Sequence, residues 1–173
     1  MIQIETTSHD PFFNQAFEDY VFRTYREGDV LLLWRNRPAV VVGCYQNICR
    51  EVHMRALLDR GIPVVRRMSG GGTVYHDLGN LNYTLITGQS GALDYDRCLA
   101  PVLRALNALG VPAQKSRTCD MTVGGKKISG SAQKIANGRV LHHGTLLFDA
   151  DLTRLDEITT GRKNNAFCSK GTQ

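Results

Sequence analysis

Three consecutive glycines at positions 70–72 constrain this chain more than any other feature of its sequence. Residues without a Cβ atom let a bound group approach the backbone closely, and their N–H groups can point at it. Arg66 and Arg67 precede the glycines, and arginine suits paired donation to a phosphate or a carboxylate. Polar side chains follow at His76, Asp77 and Asn80. The segment predicts a loop that holds an anion, and a hairpin turn with a charged rim is the alternative.

Length and composition predict a single globular domain over residues 1–173. A chain of this length can bury a sizeable core, and its 42% apolar content is ordinary for a soluble protein. No stretch is apolar over the roughly 18 residues that a membrane span needs. The N-terminus has neither a secretory nor a transit-peptide pattern. We therefore expect a cytoplasmic protein without a membrane segment.

The net charge of +5 and the pI of about 9.1 favour an anionic partner. The basic residues are scattered, with no run of five or more, which argues against nucleic acid. The five cysteines are an odd number without C-x-x-C spacing, so we expect neither a disulfide framework nor a zinc site.

Periodic segments predict an α/β domain with a mixed or largely antiparallel sheet. Asp10 and Pro11 predict the start of a helix. Its apolar side chains predict an aromatic face that packs in the core, formed by Phe12, Phe13, Ala16, Phe17, Tyr20 and Val21. Two β-rich runs, residues 30–34 and 39–43, predict an antiparallel hairpin.

The remaining elements follow from turn signals. Helices are predicted near residues 51–60, closed by Gly61, over 95–109, kinked or started afresh at Pro101, and over 149–158. Strands are predicted over residues 81–87, 121–123, 126–135 and 139–148, with hairpin turns at Gly124-Gly125 and Asn137-Gly138.

Two further clusters carry candidate chemistry. Lys126 and Lys127 precede the small residues 129–132, so Lys127 could reach phosphate oxygens as a point charge. On spacing alone, a solvated lysine at a hairpin is the better interpretation. His142 and His143 lack a third metal ligand nearby, which favours packed or hydrogen-bonded histidines. Neither a G-x-x-x-x-G-K-[ST] loop nor a dinucleotide fingerprint occurs.

Taken together, these clusters resemble the lipoate–protein ligase A family of the biotin/lipoate ligase superfamily. The motifs are residues 66–77 with Gly79 and Asn80, residues 126–132 and residues 142–147; residues 34–36, Gly43, Gln46 and Asn47 also fit. The resemblance covers residues 4 to 155 approximately. It implies an α/β (α+β) fold with a large mixed or antiparallel sheet, a smaller sheet and flanking helices.

The activity implied by the resemblance is an ATP-dependent ligation. The family uses ATP and Mg²⁺ to activate lipoate to lipoyl-AMP with release of pyrophosphate. It then passes the lipoyl group to a lysine of a lipoyl domain, as in the E2 component of 2-oxoacid dehydrogenases or the glycine cleavage H protein. This chain would be the catalytic domain, and a C-terminal accessory domain would be missing through truncation or be a separate polypeptide.

Site residues are implied by position in the family motifs. The ATP and lipoyl-AMP site would be formed by Arg67, Gly71, Gly72, Thr73, Val74, Tyr75, His76, Lys127, Ala132 and His143. Lys127 would be the central catalytic lysine, buried between the lipoate carboxylate and the α-phosphate. Asp120 would bind Mg²⁺. An apolar slot for the lipoyl tail would involve Phe17, Val40, Val42, Val74 and Leu85.

Cys119 departs from the family pattern, because many members have asparagine before the aspartate. Octanoyltransferase relatives use a cysteine nucleophile near this region. The alternative function is therefore a lipoyl or octanoyl transferase that takes a preformed activated donor and has no adenylation step. A lipoyl-adenylate carrier or a nucleic-acid-binding regulator is a third possibility, although no DNA-reading motif is visible.

Overall fold

The computed structural model of the protein describes residues 1–89, 94–116 and 119–158. The helices are α1 (Pro11–Thr24), α2 (Ile48–Glu51), α3 (Met54–Arg60), α4 (Tyr95–Ala108) and α5 (Leu152–Ile158). The strands are β1 (Ile2–Glu5), β2 (Val30–Trp34), β3 (Ala39–Val42), β4 (Val64–Arg66), β5 (Val74–His76), β6 (Asn80–Gly88), β7 (Gln114–Lys115), β8 (Met121–Val123), β9 (Lys126–Ser129), β10 (Ser131–Ala136) and β11 (Arg139–Leu147). No helix within these ranges is long and apolar enough to cross a membrane.

The predicted mixed sheet is confirmed. Its five strands run in the order β1-β2-β6-β11-β10, with β1 and β2 parallel and the other pairs antiparallel. The described residues also form two three-stranded sheets, β4-β3-β5 and β7-β8-β9, which is one small sheet more than expected. The parallel pairs β1/β2 and β3/β4 are each joined through helices, as parallel connections require.

Local turn signals locate the hairpins correctly. Asn137 and Gly138 have φ angles of 53° and 71° between β10 and β11. Gly124 and Gly125 have φ angles of 56° and 77° between β8 and β9. Two successive positive φ angles match the twist of antiparallel strands, which is why Asn-Gly and Gly-Gly favour such turns. Gly61 ends α3 in the left-handed conformation, as predicted.

The predicted hairpin between residues 30–34 and 39–43 is wrong. β2 pairs with β1 and β6 in the large sheet, whereas β3 lies between β4 and β5 in a small one. All four residues of β3 are buried, while β2 alternates between buried and half-buried positions. β3 is the central strand of the small sheet, and a strand that is buried on both faces suits such a position.

The predicted core-packing face of α1 is confirmed only in part. Phe17 and Val21 pack in a core cluster, but Phe12, Phe13 and Tyr20 have 53%, 52% and 60% of their surface exposed. The buried face also carries the polar residues Asn14, Gln15 and Glu18. Buried polar groups need hydrogen-bond partners, and those partners lie on other elements that sequence periodicity does not reveal.

Pro101 lies within the continuous helix α4, so the helix does not start afresh there. The predicted strand over residues 126–135 is broken at Gly130 into β9 and β10, which belong to different sheets. This break brings the lysine-containing strand β9 to the edge of the large sheet.

We predict that Gly144→Ala destabilises the fold by about 1–3 kcal/mol, the usual range for overpacking. A Cβ atom at Gly144 would lie 2.4 Å from the Tyr83 hydroxyl oxygen. Tyr83 is fully buried against Leu99 and Met121, so its ring cannot move aside. Denaturant unfolding measures the loss. Gly88→Ala is the control, because a Cβ atom there meets nothing within 4 Å; equal losses in the two variants would contradict the packing argument.

Candidate active site

A small cleft of about 50 Å³ is lined by residues of β10 and β11 and by Arg67 and Val74, which flank the glycine loop, residues 69–73. Five of the predicted site residues line it: Arg67, Val74, His76, Ala132 and His143. The sequence analysis missed other lining residues, among them Gln15, Val41, Asn82 and Thr145. A Cβ atom built at Gly71 would lie 3.8 Å from Ala132 Cβ, so the glycine loop and β10 face each other closely.

The arginines hold the glycine loop rather than extend from it. Arg67 Nη2 donates to the carbonyl oxygens of Gly70 and Gly72, both at 2.7 Å, and Nη1 donates to that of Val41 at 3.3 Å. Arg66 Nη1 donates to the carbonyl oxygen of Gly43 at 2.8 Å. Among the described residues, the N–H groups of glycines 70–72 have no acceptor. The loop therefore directs carbonyls inward and leaves amide donors unpaired.

Arg67 also supplies positive charge beside this loop. It is 7% exposed, and burial lowers its pKa to about 10, so it stays charged at neutral pH. Gly43 fits closely behind the loop, where a Cβ atom would lie only 2.3 Å from the Gly71 carbonyl oxygen. The conformation of the loop is thus fixed by close packing and by a buried cation.

β5 divides its side chains between the cleft and the core. Val74 and His76 line the cleft, whereas Tyr75 packs in a buried cluster with Val40 and Val42. Successive side chains of a strand point to opposite faces, which explains this division. The predicted apolar slot is therefore largely wrong, since of its five residues only Val74 lines the cleft; the others are Phe17, Val40, Val42 and Leu85. Thr73 lies at the side, where its hydroxyl donates to Gln46 Oε1 at 3.0 Å.

His143 is held in a buried hydrogen-bond network. Its Nδ1 lies 2.9 Å from Glu18 Oε1, and its Nε2 lies 2.6 Å from Ser69 Oγ. Thr84 Oγ1 donates to the same Glu18 oxygen at 2.5 Å. Ser69 and Glu18 are 1% and 0% exposed. This Ser–His–Glu arrangement ties the glycine loop to α1 and the large sheet.

His142 lies in the core beside the cleft. Its Nδ1 is 2.9 Å from Gln133 Nε2, and its ring is tilted against Tyr83 at 5.9 Å. Burial lowers its pKa to about 3. The preferred sequence interpretation, a packed and hydrogen-bonded histidine, describes this environment. Among the described residues, no group of three His, Cys, Asp or Glu side chains could hold a metal ion.

We predict that the folded state loses stability as the pH falls from about 6.5 toward 3. Burial lowers the pKa of both His76 and His142 to about 3, whereas the unfolded chain binds protons near 6.5. Each histidine then contributes a slope of up to about 1.4 kcal/mol per pH unit. In urea unfolding between pH 6 and 5, His142→Gln should show a shallower slope than wild type. The exposed His9→Gln is the control; an unchanged slope in His142→Gln contradicts the prediction.

Lys127 lies at the rim of the cleft. Its Nζ atom is 2.9 Å from Asp120 Oδ2 and 3.5 Å from the position of a Cβ atom at Gly130, which lines the cleft. Its side chain is 57% exposed, so the expected buried lysine is wrong. Gly130 separates β9 from β10, and Lys127 on β9 lies beside the part of the cleft that Gly130 lines. Asp120, with 26% of its side chain exposed, accompanies the lysine.

The comparison with protein families decides the identity of this fold. Residues 10–173 match the model of the lipoyl protein ligase A/B catalytic domain. The chain belongs to that family.

Similar proteins and solved structures are also named as lipoate-protein ligases. The chain is 43% identical over 158 residues to the lipoate-protein ligase LplJ of Bacillus subtilis (strain 168), which covers 90% of the chain and 47% of the relative. The P. falciparum LipL1 structure in complex with lipoate superposes with a TM-score of 0.86 at 29% identity, over 92% of this chain and 51% of that one. The chain therefore spans about half the length of these relatives.

Two further structures carry ligand or partner information. A lipoate-protein ligase A bound with ATP has a TM-score of 0.80 at 27% identity, over 91% of this chain and 70% of that one. A bi-partite lipoate protein ligase from Thermoplasma acidophilum, described with its E2 lipoyl domain, has a TM-score of 0.83 at 27% identity, over 94% and 66% of the two chains.

Cys119 shows no activation in this lipoyl ligase domain. It is half-buried, and desolvation raises the pKa of its thiol. A nucleophilic cysteine needs a lowered pKa, because the thiolate is the reactive form. The environment of Cys119 therefore disfavours the thioester alternative. Cys168 and the other residues from 159 onward lie outside the described part of the chain.

Proposed function

We propose that the protein activates lipoate with ATP to lipoyl-AMP and transfers the lipoyl group to a lysine of a lipoyl domain. One observation carries the proposal: the glycine loop and Lys127 both adjoin residues that line one cleft. The loop, whose amides at glycines 70–72 have no acceptor among the described residues, approaches Ala132, and Lys127 Nζ lies 3.5 Å from the Cβ position at Gly130. The name of the 43% identical relative supports it, as do the lipoate and ATP in the similar structures.

The first step joins two negatively charged reactants. A carboxylate oxygen of lipoate attacks the α-phosphorus of ATP, and pyrophosphate leaves with the electron pair of the broken P–O bond. Repulsion between the anions opposes this approach, so neutralisation and alignment are the main catalytic tasks. The glycine-loop amides and Arg67 would hold the nucleotide, while Lys127 would leave Asp120 to bond the carboxylate and the α-phosphate.

The second step is an acyl transfer. The neutral amine of the acceptor lysine attacks the acyl carbon, AMP leaves with the electron pair of the broken C–O bond, and the attacking nitrogen releases one proton to solvent. Lys127 can stabilise the negative charge that develops on the acyl oxygen. The rim position of Lys127 suits this role, because an acceptor protein can reach the opening of the cleft but not a deeply buried lysine.

Asp120 would supply one carboxylate ligand to Mg²⁺. Magnesium sites on nucleotides often use one or two carboxylates, with phosphate oxygens and water completing the shell. A single carboxylate at the rim, 3.8 Å from the Cβ position at Gly130, fits this type of site. When bound, the ion would offset the charge of the phosphates. The other predicted contacts, by Gly71, Gly72, Thr73, Val74, Tyr75, His76, Ala132 and His143, remain part of the proposal.

The proposed acceptors are lipoyl domains of the E2 component of 2-oxoacid dehydrogenases and the glycine cleavage H protein. The archaeal ligase described with its E2 lipoyl domain supports the first of these. The net charge of +5 suits an acidic acceptor. An accessory domain or a separate polypeptide could complete the ligase, since the relatives are about twice as long. A cytoplasmic location and the absence of nucleic-acid partners stay predictions.

The test separates the two half-reactions. The purified protein is incubated with lipoate, Mg²⁺-ATP and a lipoyl domain, and mass spectrometry measures the mass added to the domain. A second reaction supplies preformed lipoyl-AMP without ATP. Transfer in both supports the ligase. Transfer with lipoyl-AMP alone supports the transferase alternative, and transfer in neither contradicts the proposed function.

We predict that Cys119→Ser keeps transfer within about twofold of wild type, because a thiol with a raised pKa carries no acyl group. The same mass-spectrometric assay measures the rate. Cys49→Ser, at an exposed position on α2, is the matched control. Loss of transfer in folded Cys119→Ser alone would favour a covalent mechanism.

A further inference from the structure

One buried polar atom at the cleft has no partner among the described residues: Nε2 of His76. His76 ends β5 and is 3% exposed, with its ring edge against Trp34 at 6.0 Å. A buried polar atom without a partner is rare in folded proteins, and a ligand is one explanation for it. The hydrogen-bonding character of this atom therefore decides what the cleft can bind there.

A chain of side-chain amides fixes that character. Asn14 Nδ2 lies 2.9 Å from the carbonyl oxygen of Ser8 and 3.0 Å from that of Arg35. Backbone carbonyls only accept hydrogen bonds, so the amide orientation of Asn14 is determined. The same nitrogen lies 2.9 Å from Asn36 Oδ1, so its two hydrogens are shared among three acceptors. The reverse orientation of Asn36 would place two amide nitrogens, both donors, 2.9 Å apart, so Oδ1 is the atom that faces Asn14.

The orientation of Asn36 then fixes the tautomer of His76. With Oδ1 turned to Asn14, Asn36 presents Nδ2 to His76 Nδ1 at 3.1 Å. An amide nitrogen only donates, so His76 Nδ1 must accept and its lone pair is engaged. The ring of neutral His76 consequently carries its proton on Nε2, the atom without a partner. Asn14 and Asn36 are 1% and 0% exposed, so water cannot readily replace this arrangement.

We propose that Asn36 is a positioning residue that holds His76 as a neutral Nε2–H donor to an anionic oxygen of the substrate. The oxygen would belong to the lipoate carboxylate or to the α-phosphate, and naming these substrates rests on the proposed function. A neutral imidazole of this tautomer can donate a hydrogen bond at Nε2 but can neither accept a proton there nor bind a metal ion. His76 would therefore align the substrate and act neither as a base nor as a metal ligand.

The surroundings keep His76 neutral. Burial lowers the pKa of His76 to about 3, and the nearby Arg67 and His143 act in the same direction. Protonating Nδ1 would also place a second donor against the Asn36 amide nitrogen. His143 makes the opposite pairing, because the carboxylate of Glu18 faces its Nδ1. The two cleft histidines thus differ in the atom that they present.

The tautomer can be measured without substrate or turnover. In protein labelled with ¹⁵N-histidine, long-range proton–nitrogen correlation spectra distinguish protonated from unprotonated ring nitrogens. His76→Gln identifies the signals by their loss. We expect Nε2 protonated and Nδ1 unprotonated at pH 7, unchanged at pH 5. Protonation at Nδ1, alone or together with Nε2, at pH 7 would overturn the proposal even if the protein proved to be an active ligase.

Titration with lipoate alone and with ATP alone identifies the acceptor. A shift of the His76 Nε2 signal with lipoate assigns the carboxylate, and a shift with ATP assigns the phosphate; either supports the proposal. If glycine-loop amide signals show that both ligands bind and His76 Nε2 responds to neither, the donor role is wrong. If neither ligand binds, the proposed function fails while the tautomer spectrum still decides the role of Asn36.

Asn36→Asp reverses the direction of the hydrogen bond between residue 36 and His76 Nδ1, with nearly the same side-chain shape. A carboxylate accepts from Nδ1–H, so Nε2 loses its proton or the ring becomes charged. We expect the reversed neutral ring in the spectrum and a dissociation constant raised about tenfold for the ligand that contacts His76, as for the loss of one hydrogen bond to a charged group. Asn137→Asp, in an exposed turn where Asp-Gly serves as well as Asn-Gly, should change neither. A charged ring in Asn36→Asp would keep the Nε2–H donor, so in that case weaker binding of the ligand would contradict the donor role.

The positioning role would be overturned if Asn36→Asp reversed the His76 tautomer but bound lipoate and ATP as tightly as the wild type. If this variant does not fold, the wild-type spectrum and the two ligand titrations decide the proposal by themselves.

Discussion

Lys127→Ala is expected to lower the rate of lipoyl-AMP formation on the order of 10²–10³-fold, the range found when one preorganised donor to a developing charge is removed. Lys127 Nζ lies 3.5 Å from the Cβ position at Gly130, a residue that lines the cleft. Because its side chain is 57% exposed, the substitution should leave the free energy of unfolding within about 0.5 kcal/mol of wild type. Lipoate-dependent release of pyrophosphate from ATP measures the rate.

The neighbouring lysine provides the control for this prediction. Lys126 precedes Lys127 on β9, so the two side chains point to opposite faces of the strand. Lys126→Ala should keep the rate within about twofold, because it removes the same charge without reaching the cleft. Similar losses in both variants would indicate a general effect of net charge, and a normal rate in Lys127→Ala would remove the lysine from the chemistry.

Arg67→Lys is expected to destabilise the fold on the order of 3 kcal/mol and to disable the nucleotide site. The carbonyl groups of Val41, Gly70 and Gly72 accept from the Arg67 guanidinium. A lysine keeps the charge but has no planar fork, so it cannot reach all three acceptors, and leaving buried carbonyls unpaired is unfavourable. Urea unfolding and ATP binding measure the two effects.

Arg23→Lys is the matched control for Arg67→Lys. Arg23 forms an exposed ion pair with Asp19 on α1, and such pairs contribute little. We expect a change of less than about 0.5 kcal/mol. If Arg67→Lys unfolded at the wild-type urea concentration and bound ATP normally, the loop would not depend on the guanidinium fork.

Features set by neighbouring residues could be predicted from the sequence. The hairpin turns at Asn137-Gly138 and Gly124-Gly125 need positive φ angles that those residues adopt easily. The cap of α1 depends only on Asp10 and the N–H groups that follow it. The glycine loop and its arginines also form a local motif. A loop at this segment could be predicted without knowledge of the remaining chain, whereas its binding of an anion stays a prediction.

Features set by distant residues could not be predicted. β3 pairs with β4 and β5, and the helices α2 and α3 lie between β3 and β4 in the chain, so adjacency favoured the wrong hairpin with β2. The polar face of α1 is buried because Glu18 meets Thr84 and His143 on other strands. Periodicity ranks side chains by polarity alone, so it could not predict that this polar face is buried.

The candidate site divides along the same line. Motif positions located the two sides of the cleft. Which side chains line it depended on the alternation of side chains along each strand and on where one strand ends and the next begins. Once the register of β5 is known, the alternation of its side chains assigns Val74 to the cleft and Tyr75 to the core. Nothing local places Asn14 and Asn36 behind His76, because 22 residues separate the two asparagines and 40 separate Asn36 from the histidine.

Oxygen transfer tests the central claim, that this cleft joins a lipoate carboxylate to the α-phosphorus of ATP. Lipoate labelled with ¹⁸O in its carboxylate is supplied with ATP and a lipoyl domain, and the AMP product is analysed by mass spectrometry. Attack by the carboxylate leaves one labelled oxygen on the phosphorus after the acyl carbon is transferred, so each AMP should carry one ¹⁸O. Lipoylated domain formed together with unlabelled AMP would contradict the account.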